Sequence, residues 1–214
     1  MGFLVKLRFI TQIQVLCGIG NKPSQRSHVH EYYSMKVLST YKILKGKAFN
    51  ENIDDTWVDW ALEMMEAGYQ SDNLYMLAGM TKPFNQFELH ELTRKVLEDL
   101  RFSYADKDAV LKNYIYYIIT NSVDRPETYY KVLRELKNIC QNLDFDAAYM
   151  DFYLLYYAKD DLTVDEVQWY WDGANRGNID QIIQEHFRKW MKEFEQHNPT
   201  TTAIIKNNSR KPPK

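Results

Sequence analysis

Apolar residues recur at intervals of three and four through most of the chain, and strand-like alternation does not extend beyond residues 3–16. Trp57, Trp60, Ala61, Met64 and Met65 share one face of a helix expected from about Asp54 to Ala67, with Gly68 placed to end it. Ser71 caps a short helix, Asp72 to Ala78; Gly79 follows, and Pro83 enforces a break. Asn85 with Glu88 three residues later starts a helix to about Arg101, with Phe87, Leu89, Leu92, Val96, Leu97 and Leu100 inward. Asp106 opens the next, whose Val110, Leu111, Tyr114, Ile115, Ile118 and Ile119 predict deep burial.

Asp124, Pro126 and Glu127 mark the start of a fifth helix, ending near Gln141. A sixth, about Asp146 to Ala158, is apolar or aromatic on nearly every side, so it is either central or covered by a partner. Thr163 with Glu166 forms a capping box that predicts a helix through Trp171. The Gly173–Gly177 stretch interrupts it, and Ile179 to Gln196 resumes with Ile182, Ile183, Phe187, Trp190 and Phe194 inward. The pattern therefore predicts an all-α fold of about eight helices in an irregular arrangement. VLEDL at 96–100 and VLREL at 132–136 are related at a spacing of 36 residues, which leaves an α-solenoid open as an alternative.

The ends read differently, and charge sharpens the division. Residues 35–198 carry 19 Lys+Arg and 28 Asp+Glu, a net −9. Residues 1–34 are +3 and residues 199–214 are +4. The expected organisation is a basic, poorly ordered extension over 1–34, an acidic helical domain over 35–198 and a basic disordered tail over 199–214. Met35 stands where the domain begins, which suggests a misassigned start upstream; deleting 1–34 is expected to leave the melting temperature nearly unchanged.

An acidic domain argues against non-specific nucleic-acid binding, which is mostly phosphate neutralisation by Lys and Arg. No stretch approaches the roughly 20 apolar residues of a membrane helix. Lys6 and Arg8 precede an apolar run, but Thr11, Gln12 and Gln14 break it and no small-residue cleavage site follows. Val15 and Leu16 precede Cys17 where a lipoprotein site needs small residues, and Lys6 replaces the Ser or Thr of a myristoylation signal. These readings favour a cytoplasmic protein.

Reactive constellations are sparse. Cys17 and Cys140 give neither a disulfide framework nor zinc spacing. His90 and Glu91 stand in HELTR, which lacks the second His of a zinc helix; His28 and His30 form only a weak x-H-x-H pair. There is no phosphate-binding glycine loop and no nucleophile elbow. No catalytic residue, metal or cofactor is therefore assigned.

One stretch stands out. Between Asp144 and Asp172 lie nine aromatic residues and eight acids around a single base, Lys159. Asp160 and Asp161 oppose the dipole of the helix they are expected to end, so helix stability gives no reason for them. Trp169 and Trp171 cannot both face inward on one helix, since residues two apart lie about 200° apart. Asp160, Asp161, Trp169, Trp171 and Asp172 are therefore the candidate partner-binding residues.

The run WVDWALEMMEAGYQSDNLYMLAGM (57–80) resembles a W-x-x-W-A-x-x-M-x-x-x-G-x-x-S-x-x-L-x-x-L-A-G-L pattern of small helical bacterial proteins of unassigned function. LDFDAAYMDFYLLYYAKDDL and VQWYWDGANRGNIDQIIQEHFRKWM, within 143–191, are similar to the second half of those proteins. Together these runs cover about a third of the chain. Some relatives of this type look like immunity proteins encoded beside polymorphic toxins. The resemblance implies a non-enzymatic protein that covers the catalytic face of a toxin, and it supplies no catalytic residue. A helical-repeat scaffold or regulatory domain binding a peptide is the alternative, and a carboxylate-based enzyme around Asp160, Asp161 and Asp172 is the third reading.

Overall fold

A computed structural model describes residues 36–209. The extension over 1–34, with Cys17, His28 and His30, lies outside the described residues, as do the last five positions. Nine α-helices and no strands occur among the described residues. They are α1 (Thr40–Ala48), α2 (Asp55–Glu66), α3 (Asp72–Ala78), α4 (Gln86–Asp99) and α5 (Lys107–Thr120). A short 3-10 turn, Pro126–Thr128, leads into α6 (Tyr129–Asn142), followed by α7 (Met150–Val164), α8 (Ile179–His197) and α9 (Pro199–Ser209).

The caps are those the residue types predict. Asp54, Ser71, Asn85 and Asp106 each accept a backbone N–H from the first turn, of Thr56, Leu74, Phe87 and Ala109 respectively. Helices α1, α2, α4 and α6 end alike, with a left-handed residue followed by an N–H that reaches back five positions. Only α2 uses glycine there (Gly68); Asn50, Arg101 and Asp144 take the same conformation with a side chain.

Helix α5 is central. It packs against α1 on one side and against α8 and α9 on the other, and Ile115, Tyr116 and Ile119 are fully buried. Helices α2, α3 and α4 stack in sequence beside α1, and α7 lies along α6 and touches α8. Two large core side chains have partners for their polar groups: Trp60 Nε1 donates to Thr40 Oγ1 at 2.9 Å, and Tyr129 Oη donates to the Val123 carbonyl at 2.6 Å. Lys47 is buried, its ammonium held by the His90 carbonyl at 2.6 Å and Thr93 Oγ1 at 3.0 Å.

The all-α class holds, and several details differ from expectation. VLEDL and VLREL fall on α4 and α6, yet α4 packs on α3 while α6 packs on α7, so the related segments are not stacked repeats. Residues 199–209, expected as disordered tail, form α9 and bury Thr201 and Ile205. Lys206 joins Glu195 at 2.8 Å, and Glu195 in turn accepts from Tyr116 Oη at 2.8 Å, which ties α9 to α8 and α5. The sixth predicted helix begins at Met150 and continues to Val164, so Asp160 and Asp161 lie within its last turns. Thr163 does not cap a following helix: its hydroxyl donates back to the Asp160 carbonyl at 2.7 Å, and residues 165–178 are irregular. Phe87, predicted inward, is 84% exposed because it stands in the first turn of α4, where side chains lean past the helix start into solvent. Met65, at the edge of the α2 apolar face, is also exposed.

Candidate functional site: an aromatic and acidic face

Helix α7 places Tyr153, Tyr156, Tyr157 and Asp160 at spacings of three and four, so they share one side. Alongside it α6 presents Tyr130, Arg134 and Lys137 with the same periodicity. The rings form a continuous chain. Phe145 meets Tyr153 at 5.4 Å between centroids, Tyr153 meets Tyr157 at 4.9 Å, and Tyr157 meets Tyr170 of the following loop at 5.3 Å. A branch runs from Tyr157 through Tyr156 (5.1 Å) to Tyr130 (5.3 Å). Such tilted and edge-to-face pairs are the arrangements that ring quadrupoles favour.

Asp160 is not a free acid on this face. Tyr130 Oη donates to its carboxylate and lies 3.2 Å from Tyr156 Oη. That hydrogen bond holds the Tyr130 phenol above its usual range, so Tyr130 stays a donor at neutral pH. The scarcity of bases between Asp144 and Asp172 is a property of the sequence alone. In space, the Arg134 guanidinium lies 4.8 Å from the Tyr130 ring centre and Lys137 Nζ lies 5.2 Å from that of Tyr156. Lys159 is engaged by Asp180 at 2.5 Å.

The loop after α7 is organised by one side chain. Gln168 Oε1 accepts from the backbone N–H groups of Tyr170 and Trp171, both at 2.8 Å. Its Nε2 donates to the carbonyls of Trp171 at 2.6 Å and Ala174 at 3.1 Å. Farther along, Asn178 Oδ1 accepts from Asn175 N–H and its Nδ2 donates to the Gly173 carbonyl, where a φ of +75° suits glycine. Arg176 Nε fastens the loop to α7 through the Leu162 carbonyl at 2.8 Å. The loop is therefore irregular yet fastened at several backbone groups.

This scaffold separates the two tryptophans. Trp171 turns inward, half-buried, with its edge toward His186 at 5.8 Å; His186 packs on Phe152 at 5.1 Å. Trp169 is 89% exposed. The expectation that one of the pair faces solvent is met, although the helical argument for it is not, since residues 165–171 form no helix. Val164, Val167 and Tyr170 are exposed beside Trp169, and Asp165, Glu166 and Asp172 border them. None of these three acids, nor half-buried Asp161, has an ion-pair partner among the described residues.

The structure thus brings Trp169 and Asp172 onto one loop, assigns Asp160 to the α6–α7 contact and sends Trp171 into the interior. Tyr130, Arg134, Lys137 and Gln168 were not singled out from the sequence. The first three share helical spacing but lie on another element; Gln168 carries no local signal at all. Among the described residues no three His, Cys, Asp or Glu side chains converge as a metal site requires, and no helix is long and apolar enough to cross a membrane. Comparison with protein-family models, curated proteins and solved structures finds no match to this chain.

Proposed function

We propose that this is a non-catalytic binding protein that engages a basic protein partner through the loop after α7, in its sharpest form as a toxin-neutralising protein of the immunity type. The observation that carries the reading is Trp169, an 89% exposed indole on a loop whose backbone is fixed by Gln168. Exposing a tryptophan on an ordered loop gives the fold nothing, whereas a preorganised aromatic anchor loses little entropy on binding. Tryptophan and tyrosine are the side chains that most often dominate interface energetics. Asp165, Glu166 and Asp172 around it suit a partner of opposite charge, because complementary fields speed encounter and select against wrong partners.

The test is direct binding to the product of a neighbouring toxin-like gene, together with rescue of cells expressing that gene. Trp169→Ala should lower affinity by about 2 kcal/mol or more, roughly thirtyfold, with the circular dichroism spectrum unchanged. Full affinity and full rescue in the folded variant would place the interface elsewhere.

A further inference from the structure

A second feature lies on another flank of α6, about 120° round the helix from Tyr130, Arg134 and Lys137. It is a groove of about 710 Å³ between α1, α5 and α6. Helix α1 packs on α5 and α6 packs on α7; α5 forms the floor, and Lys45 of α1 reaches across it to Glu135 of α6. Lys131, Glu135, Asn138 and Asn142 recur at helical spacing and line the groove along the whole of α6. Tyr117, Ile118 and Asn121 come from the floor, and Lys42 and Lys45 from the opposite bank.

Dimensions limit what fits. The 14 residues of α6 span about 21 Å at 1.5 Å per residue. About 710 Å³ along that length leaves room for a single peptide segment. An extended chain fits, and at about 3.3 Å per residue roughly six residues cover the distance.

Charge sets the composition. Lys45 Nζ reaches Glu51 at 2.5 Å and Glu135 at 3.2 Å, and Tyr114 Oη donates to Glu135 at 3.3 Å, so the acids of the groove are already engaged. Lys42, Arg125 and Lys131 are exposed on the rim and form no ion pair among the described residues; Lys42 acts only from a distance on Asp54. Three such cations are too few to hold a polyanion such as nucleic acid against an acidic domain, but they match a few carboxylates.

We infer that this groove is a binding site for an extended acidic peptide segment of about six residues, which is independent of the partner surface around Trp169. Its carboxylates pair with Lys42, Arg125 and Lys131, and its backbone meets the side-chain amides of Asn121, Asn138 and Asn142. Tyr117 and Ile118 take an apolar side chain between the acids.

The probe is a fluorescein-labelled hexapeptide mixture in which Glu alternates with degenerate positions, followed by anisotropy against the full chain, with a mixture alternating Lys as control. The Glu mixture should bind and the Lys mixture should not. Arg125→Glu with Lys131→Glu on one bank, and Lys42→Glu on the other, should each weaken binding by about tenfold or more. All three positions are exposed, and melting curves verify each fold separately, so either variant can be read alone. Trp169→Ala should leave the signal unchanged. No binding of the Glu mixture, equal binding of the Lys mixture or indifference to both charge reversals overturns the inference. Loss of binding in Trp169→Ala assigns the peptide to the aromatic face and overturns it as well.

Discussion

Gln168 decides the conformation of the exposed loop, because its one amide replaces four backbone partners that no helix supplies. Gln168→Ala should speed hydrogen exchange of the Tyr170 and Trp171 amides, with a loss of about 1 kcal/mol in global stability. Unchanged protection at those two amides would show that packing of Trp171, and not the amide, holds the loop. Behind it, burial between Phe152 and Trp171 pushes the His186 imidazole below its usual value. Burial, reinforced by Lys189, outweighs the favourable fields of Asp151 at 3.8 Å, whose carboxylate is more than half exposed, and of Glu193. The unfolded chain therefore takes up a proton near pH 6.5 before the folded chain does, so His186 lowers stability as pH falls below that value and has no effect above it. Urea midpoints should drop between about pH 7.5 and about pH 5.5, and His186→Gln should flatten that drop. Equal slopes in both proteins would assign the effect to other groups.

At the level of elements, α9 shows how little local signal a packed helix needs. Its sequence holds three threonines, a proline and two isoleucines, and it forms because Ile205 enters the core and Lys206 meets Glu195. Ile205→Ala should destabilise the protein by about 2–4 kcal/mol, while Ile204→Ala, at a half-buried position, should have a smaller effect. Thermal or urea unfolding measures both, and two equally small effects would mean that α9 is an accessory to the fold. The segment 163–171 makes the converse point. Thr163 and Glu166 have the spacing of a capping box, yet the Thr163 hydroxyl is taken by the helix it ends. A capping signature gives the possibility of a helix start; the preceding carbonyls compete for the same hydroxyl.

For the molecule as a whole, charge and the aromatic anchor should act on different rate constants. Residues 36–209 hold 20 Lys+Arg and 28 Asp+Glu, so 20 − 28 = −8, and the loop acids stand where this field meets a partner. Changing Asp165, Glu166 and Asp172 to Lys should slow association with a basic partner and flatten its salt dependence. Trp169→Ala should instead speed dissociation, since close contacts form after encounter. Surface plasmon resonance at two ionic strengths separates the two, and a triple charge reversal that leaves the association rate untouched would remove the electrostatic part of the proposal.

The sequence by itself determined the all-helical class, most helix boundaries, the four side-chain caps and the buried faces of α2, α4 and α5. Each depends on interactions within about one turn, which the 3.6-residue period and capping residues write locally. It also marked Trp169 and Asp172 by composition. Only the tertiary structure decided that Asp160 belongs to Tyr130, 30 residues away, and that Lys45 bridges to Glu135, 90 residues away. The inward turn of Trp171, the burial of Ile205 and the groove beside α6 have the same origin. They arise where elements distant in the chain meet or fail to meet, and no local period records which helix will lie beside which.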